Sequence, residues 1–169
     1  MYGQTEATAR MSYLSWDMAE KKLGSIGKPI KGGKFYLKNS KGELIKKSNE
    51  VGELVYEGKN VSLGYSENYK DLERGDDNKG VISTGDLAKK DKDEFYYIVG
   101  RSKRFVKSFG VRVNLDDLEN LIGKIGYTCA CIGDDEKIKI FITNSFKNDE
   151  LIEKISNITK IHKSGIQLL

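Results

Sequence analysis

The chain has 169 residues, of which 32% are charged and 38% are hydrophobic, and its net charge is +4. This length and balance are typical of a globular protein with one domain or two small ones. No apolar run is long enough to cross a bilayer, and no signal peptide is visible, so we expect a cytoplasmic protein without a membrane partner. The lysines are interleaved with acidic residues, which argues against a nucleic-acid partner.

Cys129 and Cys131 are the only cysteines, and they lie two positions apart in the alternating segment "TCACIG". Alternate residues of a strand share one face, so this spacing predicts two small core residues and not a disulfide framework. The single histidine, His162, is distant in sequence from both cysteines. The three residues therefore predict no metal site.

Residues 34–100 are predicted to be rich in strands joined by tight turns. The segment "KFYLKNSKGELI" is typical of a β-hairpin, and "VGELVYEG" (51–58) alternates as a further strand. A strand from Val81, a charged turn over 89–94 and an apolar strand over 95–99 follow. No long amphipathic helix fits this part of the chain.

The pattern changes after Arg101. "RFVKSFGVRV" predicts a hairpin that turns near Gly110, and Asn114 is a candidate N-cap of a helix that begins with acidic residues. Two further strands, "YTCACIG" and "KIKIFIT", precede a second helix, and "GIQLL" begins a last strand. The predicted apolar helix faces comprise Leu115, Leu118, Leu121 and Ile122 on the first helix and Leu151, Ile152, Ile155 and Ile158 on the second. The order β-β-α-β-β-α-β predicts a small α+β unit from about residue 102.

Five short elements suggest a function when they are taken together. They are "YGQTE" (2–6), "GSIGKPI" (24–30), "GELVYEGKNVSLGY" (52–65), "STGDLA" (83–88) and "GRSKRFVKSFGVRV" (100–113). Each alone has a plain structural interpretation as a helix start, a turn, a pair of strands or a basic hairpin. In this order and spacing the chain resembles the adenylate-forming superfamily, which contains acyl- and aryl-CoA synthetases, peptide-synthetase adenylation domains and luciferases.

The resemblance implies a mixed α/β fold in two parts. Residues 1–101 would be the β-rich, distorted barrel-like end of a large N-terminal AMP-binding domain. Residues 102–169 would be most of a small α+β C-terminal domain. The family joins a carboxylic acid to ATP as an acyl-adenylate and passes it to a thiol of CoA or of carrier-protein phosphopantetheine.

The resemblance also implies roles for individual residues around the nucleotide. Tyr2, with Gly3 in its turn, matches the residue that stacks on adenine, and Ile98 matches the residue on the other adenine face. Asp86 and Arg101 match the residues that reach the ribose. Thr5 and Glu6 match a phosphate-binding hydroxyl and a magnesium-binding carboxylate, which are chemically suited to those ligands.

Three residues of the last element match the family's moving parts. Lys103 corresponds to the hinge about which the small domain turns between the two half-reactions, as a charged residue at a domain boundary could do. Lys107 and Gly110 lie on the loop that would guide the thiol donor. A solvated hairpin surface is the plain alternative for both lysines.

Two parts that the reaction needs have no match in the chain. Nothing resembles the Ser/Thr/Gly-rich phosphate loop, and neither Lys160 nor Lys163 has the context of the family's C-terminal catalytic lysine. The sequence therefore predicts part of an ATP-dependent acid–thiol ligase that is inactive alone, with a small carboxylic acid, a nucleotide and a carrier protein or missing N-terminal half as partners. The alternatives are a non-catalytic remnant that binds nucleotide or a partner, and a basic nucleic-acid-binding domain.

Overall fold

The computed structural model describes residues 1–108, 111–134, 137–143 and 148–169. These residues form two compact units, Met1–Val99 and Gly100–Leu169. None of the helices in the described ranges is long and apolar enough to cross a membrane.

The first unit is built from short strands. They are β1 (Ser12–Tyr13), β2 (Lys28–Pro29), β3 (Lys34–Lys38), β4 (Leu44–Ile45), β5 (Gly52–Glu57), β6 (Val81–Lys90) and β7 (Tyr96–Arg101), of which β7 continues into the second unit. A 3-10 turn at Thr5–Ala7 precedes β1, and two others lie between strands, at Trp16–Met18 and Tyr69–Glu73. The predicted hairpin is confirmed, because β3 and β4 pair antiparallel with Leu37 opposite Ile45.

The main sheet has the strand order β4-β3-β5-β6-β7, and β1 pairs with β2 separately. This sheet has two edge strands in the part of the chain that the structure describes. The mixed, strand-rich fold class is thus confirmed, and the expected barrel-like character takes the form of an open sheet. β5 lies at the centre of this sheet, which explains why Leu54, Val55 and Tyr56 are almost fully buried.

An aromatic cluster forms the centre of the first unit. The ring of Phe35 meets those of Tyr2, Tyr56 and Tyr96 edge-on, at centroid distances of 6.1, 5.5 and 5.2 Å. The Tyr96 hydroxyl donates to the main-chain oxygen of Phe35 at 3.0 Å, and burial raises the pKa of Tyr96 to about 12. The N-terminal Tyr2 is therefore fixed against the core of its unit by the same aromatic ring that packs on β5 and β7.

The second unit has the predicted element order. It comprises β8 (Phe105–Ser108), β9 (Val111–Asn114), α1 (Leu115–Lys124), β10 (Cys129–Gly133), β11 (Ile138–Ile142), α2 (Asn148–Thr159) and β12 (Ile166–Leu168). β8 and β9 pair antiparallel, and the predicted turn near Gly110 lies outside the described residues. β11 pairs antiparallel with β10 and parallel with β12. Cys131 belongs to the core of this unit, which confirms the prediction for that residue, and Cys129 is partly buried against the same core. Burial raises the pKa of the Cys131 thiol.

Asn114 caps helix α1, as the sequence predicts. Its side-chain oxygen accepts a hydrogen bond from the main-chain N–H of Asp116 at 2.9 Å, and only 9% of the residue is exposed. We expect Asn114→Ala to lower the free energy of unfolding of this unit by about 1 kcal/mol, because alanine leaves that amide without its cap. Urea unfolding measures the change. Asn120→Ala on the exposed face of the same helix is the control, and an equal loss from both variants would contradict the capping role.

Candidate active site

The N-terminal turn is held in place by main-chain contacts. Tyr2 donates its N–H to the oxygen of Ser12 at 3.0 Å, and its own oxygen accepts from Met11 at 2.8 Å. A Cβ atom on Gly3 would lie 2.4 Å from the main-chain oxygen of Ala9, so the close approach of these two segments requires glycine. The turn Thr5–Ala7 follows directly. The sequence "YGQTE" therefore folds as a tight, supported turn.

Tyr2 and Asp86 meet, although 84 positions separate them. The Tyr2 hydroxyl donates to Asp86 Oδ2 at 2.6 Å. The Asp86 N–H in turn donates to the Thr84 hydroxyl oxygen at 3.1 Å, and that hydroxyl donates to the main-chain oxygen of Leu54 at 2.8 Å. Asp86 is 7% exposed, so its carboxylate is held in a largely buried polar network. The structure thus brings together the aromatic residue of the first motif and the carboxylate of the fourth.

Glu6 is held by residues of the third motif. Its main-chain oxygen accepts from the N–H of Ser62 at 2.7 Å, and its carboxylate accepts a hydrogen bond from the Tyr65 hydroxyl. That bond raises the pKa of Tyr65, because loss of the hydroxyl proton would leave two negative charges side by side. Sequence reasoning did not single out Tyr65. The only signal was its position as the last residue of "GELVYEGKNVSLGY".

The carboxylate of Glu6 is chemically suited to a magnesium ion that is shared with a phosphate ligand, to which the Thr5 hydroxyl could donate. Among the residues described, no group of three or more His, Cys, Asp and Glu side chains is placed to hold a metal. Magnesium commonly takes one or two protein carboxylates, several waters and phosphate oxygens, and one carboxylate beside a hydroxyl suits that mode of binding. A protein-only metal cage does not fit these residues.

The other predicted site residues fall in both units. Ile98 is partly buried and packs against the core of the first unit. Arg101 at the end of β7, Lys103 in the 3-10 turn Ser102–Arg104 and Lys107 on β8 belong to the second unit and are exposed. Gly110, the expected thiol-transfer residue, lies outside the described residues.

Arg104 is a second residue that sequence reasoning missed. Its guanidinium contacts Asp116 and Glu119 at 2.7 Å each and donates to the main-chain oxygen of Cys131 at 2.8 Å. Glu119 also accepts from the N–H of Cys131 at 2.6 Å. The bond to Glu119 is the main reason that the pKa of Arg104 is raised. The residue after Lys103 is therefore fixed to α1 and β10, so the turn that carries Lys103 is anchored within the second unit.

Comparisons with known proteins agree with this arrangement. The family described as AMP-binding enzyme matches residues 1–66. A medium/long-chain-fatty-acid–CoA ligase of Mycobacterium tuberculosis is 30% identical over 188 residues, which cover 98% of this chain and 31% of the relative. A 2-succinylbenzoate–CoA ligase of Oceanobacillus iheyensis is 30% identical over 129 residues, covering 73% of this chain and 25% of the relative.

A solved structure shows the same fold. It is the O-succinylbenzoate coenzyme A synthetase of Bacillus subtilis in complex with ATP and a magnesium ion, and it superposes with a TM-score of 0.66 at 23% identity. The superposition covers 99% of this chain and 37% of the synthetase. The chain spans about a third of the length of the proteins it matches. The family match, the relatives and the fold agree with the five motifs, and the chain belongs to the adenylate-forming, AMP-binding superfamily.

Proposed function

We propose that this chain is part of an ATP-dependent, AMP-forming ligase of the cytoplasm. The ligase would activate a small carboxylic acid as an acyl-adenylate and transfer it to a thiol of CoA or of a carrier protein. The hydrogen bond between Tyr2 and Asp86 is the observation that carries the proposal, because it joins the proposed adenine-binding and ribose-binding residues in one partly buried network. The curated relatives, which are named as CoA ligases, support the same reaction class.

Most of the residues proposed for the nucleotide site lie in the first unit. The Tyr2 ring offers a face on which adenine can stack, and Ile98 would cover the opposite face. The Asp86 carboxylate can accept hydrogen bonds from both ribose hydroxyls, since a carboxylate has about four acceptor positions. Arg101 would add a donor to the ribose.

The turn after Tyr2 would bind the phosphate end. The Thr5 hydroxyl can donate to a phosphate oxygen, and Glu6 would hold a magnesium ion together with the phosphates. When bound, this ion would neutralise negative charge that develops on the phosphate oxygens as pyrophosphate leaves. The residues of the turn would hold the α-phosphate in line with the incoming carboxylate.

The second unit would provide the moving part. We propose that residues 1–101 belong to a large nucleotide-binding domain and that residues 102–169 belong to a small C-terminal domain. Lys103 would be the hinge, and Lys107 and Gly110 would guide the thiol donor in the second half-reaction. The network of Arg104 suits this proposal, because it anchors the chain immediately after the hinge residue.

Titration calorimetry of the 169-residue chain tests the nucleotide site. We expect saturable binding of AMP and much weaker binding of ribose 5-phosphate, because the second ligand lacks the base that Tyr2 and Ile98 would hold. Equal affinities for the two ligands, or no AMP binding, would contradict the proposed site.

We expect no exchange of pyrophosphate into ATP by this chain with any carboxylic acid, because no residue matches the family's phosphate loop. Exchange by this chain would contradict the proposal that it is inactive alone.

A further inference from the structure

The segment 56–65 makes several bonds to the N-terminal turn. The Asn60 side-chain amide donates to the main-chain oxygen of Ala7 at 2.6 Å and lies 3.4 Å from the Thr8 hydroxyl oxygen. Ser62 and Tyr65 add the bonds to Glu6 described above. This segment therefore contacts the end of the turn that carries the proposed phosphate-binding and magnesium-binding groups.

The orientation of Asn60 is itself fixed from the core. The hydroxyl of Tyr56, which is fully buried, donates to Asn60 Oδ1 at 2.8 Å. The main-chain oxygen of Ala7 can only accept, so the amide nitrogen must face Ala7 and the amide oxygen faces the Tyr56 hydroxyl. A Cβ on Gly33 or Gly58 would come within 2.5 or 2.7 Å of the Tyr56 hydroxyl oxygen, so two glycines make room for the bond. Only one orientation of the Asn60 amide forms hydrogen bonds with both the Tyr56 hydroxyl and the main-chain oxygen of Ala7.

Thr8 is the strained residue that Asn60 faces. Its φ of 68° and ψ of 172° lie in a region that glycine occupies almost alone, and threonine is β-branched. A residue persists there only when its surroundings hold it. The bonds from Asn60 to Ala7 and Thr8 lie where such support is needed.

We propose that Asn60 is a positioning residue for the proposed nucleotide site. By holding Ala7 and Thr8, it fixes the turn so that Thr5 and Glu6 face the phosphate end of the ligand. This inference rests on the proposed function, and it concerns the phosphate and magnesium end of the site, not the base or the ribose. Asn60 does not itself touch the ligand.

The test compares AMP with adenosine in a magnesium-containing buffer. Asn60→Asp keeps the acceptor for Tyr56 but places an oxygen against the main-chain oxygen of Ala7. We expect AMP affinity to fall about tenfold, the size of effect that follows loss of an outer-shell partner, while adenosine affinity stays unchanged. Asn49→Asp, which makes the same charge change at an exposed turn of the same unit, is expected to leave both affinities unaltered.

Other results would distinguish a failure of the inference about Asn60 from a failure of the proposed phosphate site. Equal weakening of both ligands by Asn60→Asp would show a merely structural role and overturn the inference, as would no weakening of either. A wild-type chain that binds AMP no more tightly than adenosine would overturn the proposed phosphate site and the inference together.

A second variant tests the strain at Thr8. Thr8→Gly in the Asn60→Asp background is expected to recover part of the AMP affinity, because glycine adopts this φ without steric cost. The absence of any recovery would contradict the part of the inference that concerns Thr8.

Discussion

Asp86→Asn is expected to lower the affinity of the chain for AMP by about 100-fold. A hydrogen bond to a charged group contributes about 1.5–3 kcal/mol, and each 1.4 kcal/mol corresponds to a factor of ten in affinity. The asparagine keeps the size of the side chain but removes its charge and replaces one acceptor oxygen with a donor. The loss of affinity should be largest for ligands with both ribose hydroxyls, so calorimetry with AMP and with 2′-deoxy-AMP measures it.

The comparison of AMP with 2′-deoxy-AMP distinguishes a loss of ribose recognition from a loss of protein stability. We expect 2′-deoxy-AMP to lose far less affinity than AMP when Asp86 is replaced, because that ligand already lacks one of the two hydroxyls. Asp76→Asn, at an exposed position of the same unit, is the matched control and should change neither affinity. Equal losses for both ligands would show that Asp86 supports the fold of β6 and does not recognise the ribose.

The hydrogen bond between Tyr2 and Asp86 shows what the sequence could and could not predict. The resemblance assigned both residues to one nucleotide site, and the structure places them in direct contact. The contact itself could not be predicted from periodicity. Alternation describes one strand at a time, whereas this bond joins the N-terminal turn to β6 across 84 positions.

Asn60 and Tyr65 were missed for a related physical reason. They lie beyond the end of β5, where the alternating pattern that predicts the strand no longer applies. Their roles depend on how the segment after β5 returns to the turn Thr5–Ala7. A strained residue such as Thr8 is equally invisible, because nothing in its sequence context requires a positive φ.

The second unit was predicted more completely, because its strands and helices have regular apolar patterns. The exception is Ile158, an apolar residue of α2. The pattern of α2 placed Ile158 on the same face as Leu151 and Ile155, yet Ile158 is 49% exposed while Ile155 is fully buried. Helical periodicity gives the direction of a side chain, and it does not tell whether a neighbouring element covers that end of the helix. Ile158 lies in the last turn of α2.

Because Ile155 is buried and Ile158 is half exposed, replacing them should change the free energy of unfolding of the second unit by very different amounts. Ile155→Ala is expected to lower the free energy of unfolding of the second unit by about 2–5 kcal/mol, since it leaves a cavity among fully buried neighbours. A domain of this kind is stable by only about 5–15 kcal/mol, so the loss is a substantial fraction of the total. Ile158→Ala makes the same change on the same helix and should cost less than about 1 kcal/mol, because about half of that residue is already in water.

Urea unfolding followed by far-ultraviolet circular dichroism measures both variants, because α1 and α2 both belong to the second unit. Comparable losses from the two substitutions would mean that Ile158 is also covered in solution, and a small loss from Ile155→Ala would contradict its place in the core.

The two substitutions should also differ in their effect on the proposed hinge. The Arg104 network holds the turn that carries Lys103 against α1 and β10. These contacts persist only while the hydrophobic core that α1, β10 and α2 share stays folded. Ile155→Ala should therefore increase amide exchange in the turn Ser102–Arg104 as well as in α2, whereas Ile158→Ala should leave both protected as in the wild type.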